Sequence, residues 1–369
     1  MKIVPKKLKK FALYGAVLGV LAAGLVCLHL NTSVFLFTPK AKYERLGTKI
    51  DAAANRNDWH NVLSLCNTFL ELITTDLDKG KVGQRDVSIA WEKAVIYTKY
   101  ALVLTGELLE NYFFYTRYRG FNELIPKQED HIFLLPSAHR FFSAIELQTL
   151  ALASAFNRFE VTEVPSALND FIQSSLIVGD YRTPTTFINR LEQHRKWRRQ
   201  ARAYRELLAD TAAINADPYY IARRRLGPIG DFQVSWNFDR SILDLHFSNP
   251  NNQRAFEYAL AFALLHNLDY YFSEIETLLA RFDYDHIPRH LEEAILMISG
   301  YGWNPEISRN LVMTQRFGGL TIRPQTIFRH ENLVHHFNML HQGQISFDWF
   351  RDTYQDTYQY YRLITSPQP

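Results

Sequence analysis

Two histidine pairs stand where a metal site could begin. The first lies in His330-Glu331-Asn332-Leu333-Val334-His335. A zinc-protease helix needs histidines at i and i+4 on one face, with a glutamate between them as general base. Five residues apart, these two point about 140° away from each other around a helix. His336 does not repair the geometry, so all three are expected as surface or helix-end residues. The second pair, His286 and His290, does have i, i+4 spacing, with Asp283 and Asp285 before it and Glu292 and Glu293 after. Pro288 separates the two, which puts His286 ahead of the first helical turn. The pattern predicts a helix start whose early acids complement the helix dipole. No metal and no cofactor are expected.

Acid–base work on a glycan or cell-wall peptide would need two carboxylates about 5–10 Å apart in a cleft. Glu257, Glu292 and Glu293 are candidates, yet as sequence they look like ordinary helix acids. There is no glycine-rich phosphate loop and no G-x-S-x-G elbow. Of the two cysteines, Cys66 falls at core spacing and Cys27 in an apolar run, so neither a disulfide framework nor a four-cysteine zinc site is available.

The remaining feature that could bind is cationic. Residues 182–225 hold eleven Lys or Arg and four acids, a local +7 in a chain of net +3. Arg195, Arg198, Arg199, Arg202 and Arg205 form one broad helical stripe, with Trp197, Ala201, Tyr204, Leu207 and Leu208 on the opposite face. Arg223-Arg224-Arg225 adds a second cluster. Two readings stay open: a solvated face paired with the acidic remainder, or a surface for anionic ligands such as lipid headgroups or a cell-wall polymer. Residues 1–49 carry +8, so everything outside these two segments sums to −12, unlike a typical nucleic-acid binder. No nucleic-acid partner is expected.

The elements that must position these residues are helices. Phe11 to Leu30 holds twenty residues with no charged side chain except a possible His29. At 1.5 Å per residue that is about 30 Å, the thickness of a bilayer core. The run is longer than a signal-peptide apolar region and lacks a cleavage site, so it is expected as an uncleaved transmembrane anchor. Five lysines precede it, which places the N-terminus in the cytoplasm and the remainder on the other side. The expected organisation is a basic cytoplasmic tail (1–10), an anchor in the bilayer (11–30), a juxtamembrane segment (31–50), a helical-repeat domain (51–365) and a frayed tail (366–369). In a bacterium this is a single-pass inner-membrane protein with a periplasmic domain.

Beyond residue 40 the apolar spacing is helical almost throughout, and only 16 Gly and 14 Pro argue against a turn-rich β protein. Helices are expected from an Asp58 cap through Ile73, from an Asp86 cap to Gly106, over Leu108–Tyr118, from Ser137 through Ala153, from Pro165 to Gly179, from Thr183-Pro184 through Leu191, and from His194 to Ile214. Others follow over Asn251–Leu265, Tyr270–Phe282 and Leu291–Ile298, with two or three more in 305–364. The aromatic clusters at Tyr112–Tyr115, Tyr270–Phe272 and Tyr358–Tyr361 are expected mostly as packing.

Tight turns at Asn57-Asp58-Trp59, Gly106-Glu107-Leu108, Gly179-Asp180-Tyr181 and Asn267-Leu268-Asp269-Tyr270 each join two apolar helices. This predicts an all-α chain: after the transmembrane helix, an irregular tetratricopeptide-like α-solenoid of stacked hairpins. The turns are spaced by 49, 73 and 89 residues, so no strict 34-residue period exists, and an irregular all-α domain is the alternative.

Asn249-Pro250-Asn251-Asn252-Gln253-Arg254-Ala255-Phe256-Glu257-Tyr258, then Leu268-Asp269 and Asp283-Tyr284-Asp285-His286-Ile287-Pro288, follow Asn169–Tyr181 and Arg195-Lys196-Trp197 in order. Together these resemble a bacterial family of helical-repeat membrane proteins of unknown function, over roughly residues 55–365. The resemblance implies the helical fold and a membrane setting, and it brings no activity with it. Members often carry many membrane spans, where this chain has one. Its recurring residues look structural: Asn249 or Asn251 as a cap, Ala255 for close helix approach, Pro288 as a helix start. The expected function is a membrane-anchored scaffold that binds a protein or peptide in the cell envelope. The alternatives are an accessory subunit of a transporter-like membrane complex and an envelope glycan or cell-wall enzyme.

Overall fold

The computed structural model describes residues 39–118, 121, 124, 136–229, 238–268, 275–304 and 307–365. The expected tail, anchor and frayed end (1–30 and 366–369) lie outside them, as does Tyr270–Phe272. Among the described residues no helix is long and apolar enough to cross a membrane. The regular structure there is all-α apart from one isolated bridge, Phe317 to Leu320.

Helices α1 (Pro39–Asn55), α2 (Trp59–Asp78), α3 (Gln84–Thr105), α4 (Leu108–Tyr115) and α5 (Pro136–Ala144) open the chain. Then come α6 (Gln148–Thr162), α7 (Pro165–Val178), α8 (Thr183–Gln193), α9 (Arg198–Ala209), α10 (Thr211–Ala216) and α11 (Pro218–Leu226). The chain closes with α12 (Phe238–Ser248), α13 (Gln253–Leu265), α14 (Ile275–Arg281), α15 (Arg289–Ser299), α16 (Arg309–Thr314), α17 (Pro324–His341), α18 (Phe347–Tyr354) and α19 (Tyr358–Thr365).

The four turns share a mechanism. Asn57, Gly106, Gly179 and Asn267 all have positive φ, between 54° and 83°. After each, a backbone N–H reaches back five residues: Asp58 to Ala53, Glu107 to Leu102, Asp180 to Ser175 and Leu268 to Ala263, at 2.8–3.1 Å. This is the Schellman closure, and only Gly and Asn take its left-handed position readily.

Another copy stands where sequence periodicity predicts continuous helix. The expected helix from Ser137 through Ala153 breaks into α5 and α6: Glu146 has φ 66°, and Leu147 N–H bonds the Phe142 carbonyl at 2.9 Å. A glutamate there costs about 1–3 kcal/mol in backbone strain. Its carboxylate meets Arg223 and accepts from Gln148 Nε2 at 2.8 Å, which holds the conformation in place.

Other boundaries also move for local reasons. The expected His194–Ile214 helix divides because the Asp210 carboxylate accepts from Ala213 N–H at 3.0 Å and starts α10. At its other end the turn closed by Trp197 N–H on the His194 carbonyl at 2.8 Å leaves Arg195 before α9 rather than on it. Asp58 precedes α2 without capping it and accepts instead from Asn61 Nδ2. Helix α12 is not among the expected helices, although Ile242 and Leu245 stand at i, i+3 and are both buried.

Packing departs from a strictly nearest-neighbour stack. Consecutive helices pack from α1 to α3 and from α5 to α9, yet α4 also touches α13 and α15, and α15 touches α17 and α19. One core joins the first and last described helices through Phe69, Tyr100, Phe113, Phe256, Leu291 and Tyr358. Cys66 lies in it as expected, and burial pushes its thiol up to about 12. The expected aromatic helix α4 is central: Tyr112, Phe113 and Tyr115 are all buried. A second core, from Phe159 to Tyr220, belongs to α6–α11. Helix α6 begins in the first core with Leu150 and Ala151 and ends in the second with Phe159. Residues 148–226 thus form a helical arm on a larger body.

The arm is fastened by two buried asparagines. Asn249 donates both amide hydrogens, to the Arg225 and Gly227 carbonyls at 2.8 and 2.7 Å, and accepts from Asn251 N–H. Asn252 donates to the Ile145 and Leu226 carbonyls, both at 3.0 Å, and its oxygen caps α13 through Ala255 N–H at 3.0 Å. The cap of α13 is therefore Asn252, not Asn249 or Asn251 as the sequence suggests. Position in the chain distinguishes them poorly; the carbonyls from the arm decide. Arg254 adds a bond to the Ala144 carbonyl.

Asn252→Ala removes the cap and leaves two carbonyls at this site unpaired. It should lower stability by about 2–4 kcal/mol in urea unfolding, whereas exposed Asn251→Ala should stay within about 0.5 kcal/mol. Equal effects of the two would show that Asn252 is not the fastener.

Candidate functional site

The predicted arginines lie on the arm. All five are exposed, while Ala201 and Tyr204 on the opposite face are buried with Trp197, Leu207 and Leu208 packed beside them. Three converge on Glu192 at the end of α8: Arg205 at 2.6 Å, Arg202 at 3.6 Å, and Arg198 through the Glu192 carbonyl. The Arg205 hydrogen bond, more than any other contact, holds the Glu192 carboxyl below its usual range. Arg195 and Arg199 face solvent. Of the second cluster, only Arg225 is exposed. Arg223 holds Ser143 and Glu146, and Arg224 closes the C-terminus of α7 through the Ile177 and Leu176 carbonyls at 2.7 and 2.8 Å.

The histidine pairs separate. His286 bonds Glu110 at 2.8 Å near the surface, and His290 turns into the core. His290 Nε2 accepts from Phe113 N–H at 3.3 Å, so the proton resides on Nδ1 and is donated to Glu293 at 3.0 Å. His330 is fully buried rather than at the surface: α17 carries it under Tyr301, where Nε2 donates to the Tyr301 carbonyl at 2.7 Å. Burial pulls its pKa down. Among the described residues no three His, Cys, Asp or Glu are grouped to hold a metal ion.

One constellation follows the order nucleophile, base, acid. His139 Nε2 lies 3.0 Å from Ser174 Oγ, and His139 Nδ1 lies 3.8 Å from Asp170. The last distance is too long for a hydrogen bond. Asp170 is engaged by Arg158 at 2.7 Å, and Ser174 is 1% exposed within α7. The arrangement joins α5 to α7 and offers no reachable nucleophile.

The three acids proposed for catalysis are all buried. Glu257 accepts from Tyr284 and Gln253, both at 2.9 Å, and burial outweighs these bonds and raises its pKa. Glu292 and Glu293 cap two other helices. Glu292 accepts from Arg323 N–H at 2.7 Å and Arg323 Nε at 2.9 Å, at the start of α17, and from Thr326. Glu293 accepts from Tyr358 N–H at 2.8 Å, at the start of α19, and from Arg289 and His290. Burial pushes both carboxyls up. For Glu292 burial prevails; for Glu293 the His290 bond, Arg289 and Tyr358 N–H prevail and hold it low. The lowered Glu293 suits a carboxylate at a positive helix end, whereas at Glu292 burial overrides the same effect.

Beside these caps lies a cavity of about 400 Å³ that sequence reasoning did not find, lined by Arg289, Glu293, Arg323, Gln325, Arg329 and Gln359 together with Thr326. Asp356 bridges two of its arginines, accepting from Arg329 at 2.6 Å and Arg289 at 3.0 Å. Burial opposes its charge, but the two arginines hold its pKa low. No local motif announces the site, because its arginines come from positions 34 and 40 residues along the chain from Arg289.

These features define an all-α protein with a helical body, a cationic arm and a cavity bordered by arginines among its described parts. The chain belongs to a family of unknown function, DUF6057, whose model matches residues 2–365. No curated protein and no solved structure matches it.

Glu293→Gln should cost about 3–5 kcal/mol, since it breaks a buried pair and weakens the α19 cap. Because Glu293 and Asp356 have lowered pKa values when folded, their stabilisation is complete above the ordinary carboxylate value of roughly 4.3 and is lost as pH falls through the lower, folded values. Urea midpoints from pH 7 to pH 3 should decline for the wild type and decline less for Glu293→Gln.

Proposed function

We propose that this chain is a membrane-anchored helical adaptor that binds a protein or peptide in the bacterial cell envelope. Residues 11–30 serve as the signal anchor, with the N-terminus cytoplasmic and the tetratricopeptide-like hairpins on the periplasmic side. The observation that carries the reading is the arginine face of α9. Arginines at i, i+3 and i+4 repel one another by a few tenths of a kcal/mol per pair, and Glu192 is their principal partner. Such a face suits an acidic partner surface, which it would recruit by charge. The arm's separate core gives that face a rigid support.

Crosslinking in the membrane, followed by purification of the full chain beside one lacking residues 1–38, tests this. A specific protein should be retained by both and lost, by tenfold or more, from Arg198→Glu/Arg199→Glu/Arg202→Glu. A partner retained only with the anchor would favour the accessory-subunit reading. No partner from either would end the adaptor reading.

A further inference from the structure

We propose that the cavity between α15, α17 and α19 binds a phosphate group, carried by a small soluble phosphomonoester or by a phospholipid headgroup. Three arginines line it from separate places: Arg289 on α15, Arg323 ahead of α17 and Arg329 within α17. Each is oriented by a carboxylate on one edge. Arg289 uses Nε and one Nη, on Glu293 and Asp356; Arg323 uses Nε on Glu292; Arg329 uses one Nη on Asp356. A guanidinium has five N–H donors, so each retains donors beyond those bonds. Donors fixed in advance lose little entropy when a ligand arrives.

The helix ends add to this. Gln325 and Gln359 are the second residues of α17 and α19, where backbone N–H groups have no acceptor within the helix and the dipole is positive. The carboxylate among the lining residues, in contrast, is engaged: both Glu293 oxygens already receive hydrogen bonds. Donors therefore reach the cavity from several directions. A carboxylate offers two coplanar oxygens and fits one guanidinium fork. A tetrahedral phosphate can accept from several directions at once. Because Glu292, Glu293 and Asp356 offset the three arginines, affinity depends on directed donors more than on net charge. Binding here should weaken less with salt than binding to the exposed face of α9.

The test is calorimetric titration of the full chain in detergent with inorganic phosphate and with glycerol 3-phosphate, beside acetate at equal ionic strength. One saturable site for the phosphate probes is expected, at least tenfold tighter than acetate. Arg329→Gln should weaken it tenfold or more. Gln325→Glu should do the same, and because Gln325 is exposed the fold should survive, as the melting curve would show. Arg198→Glu/Arg199→Glu/Arg202→Glu should bind phosphate like the wild type. Competition of glycerol 3-phosphate by phosphatidic acid in mixed micelles would assign the lipid source, and its failure the soluble one. No saturable binding of either phosphate probe, equal affinity for acetate, or unchanged affinity in both Arg329→Gln and Gln325→Glu would overturn the proposal.

Discussion

The amide groups of Asn249 and Asn252 bind together parts of the chain that would otherwise have no reason to meet. Between them they bond carbonyls at Ile145, Arg225, Leu226 and Gly227 and the first turn of α13. Every hydrogen of both side-chain amides is used. That matters because the site is buried, and a buried amide or carbonyl left unpaired costs about 1–3 kcal/mol. The same crossing holds Glu146 in its left-handed conformation, since Arg223 comes from α11, the returning helix of the arm. Body core, arm core and the break between α5 and α6 all rest on this polar junction, not on apolar contact alone.

The C-terminal helices follow a related logic. Helix α15 is buried, yet it carries two adjacent glutamates and a histidine on its inner surface. In a dry interior such groups persist only when fully hydrogen-bonded. Here Glu292 and Glu293 satisfy the open ends of α17 and α19, and His290 supports Phe113 of α4. One helix thereby organises three others. The cavity is a by-product of that organisation: two helix starts and their arginines are drawn to the same place.

Much of the fold was legible because its signals are local. Left-handed Asn and Gly turns, Pro165 and Pro184 at helix starts, and the buried face of α9 all follow from spacing and backbone sterics. What escaped depends on distant partners. Glu146 looks like a good helix former, and nothing nearby reveals that Arg223 and Asn252 break the helix there. His330 looks solvent-facing until Tyr301 is placed over it. The paired glutamates were visible as residues but not as caps, because the backbone N–H groups they accept from lie 31 and 65 residues further on. The cavity arginines were invisible for the same reason. The helical class was legible in the spacing, but the closure of α4 against α13 and α15 was not, because no periodicity encodes it.

The arm's two ends meet at a single side chain. The Ile145 and Leu226 carbonyls both bond Asn252 Nδ2 at 3.0 Å, so they lie no further apart than those two bonds in sequence allow. Topologically, residues 148–226 are an insertion whose entry and exit coincide. Loop-closure entropy changes only slowly with the length enclosed, so hairpins can be added to or lost from the arm with little effect on closing the body. The junction thus separates what can vary from what must persist: a lineage could remodel the arm's reach and charge while the helices around α15 stay as they are.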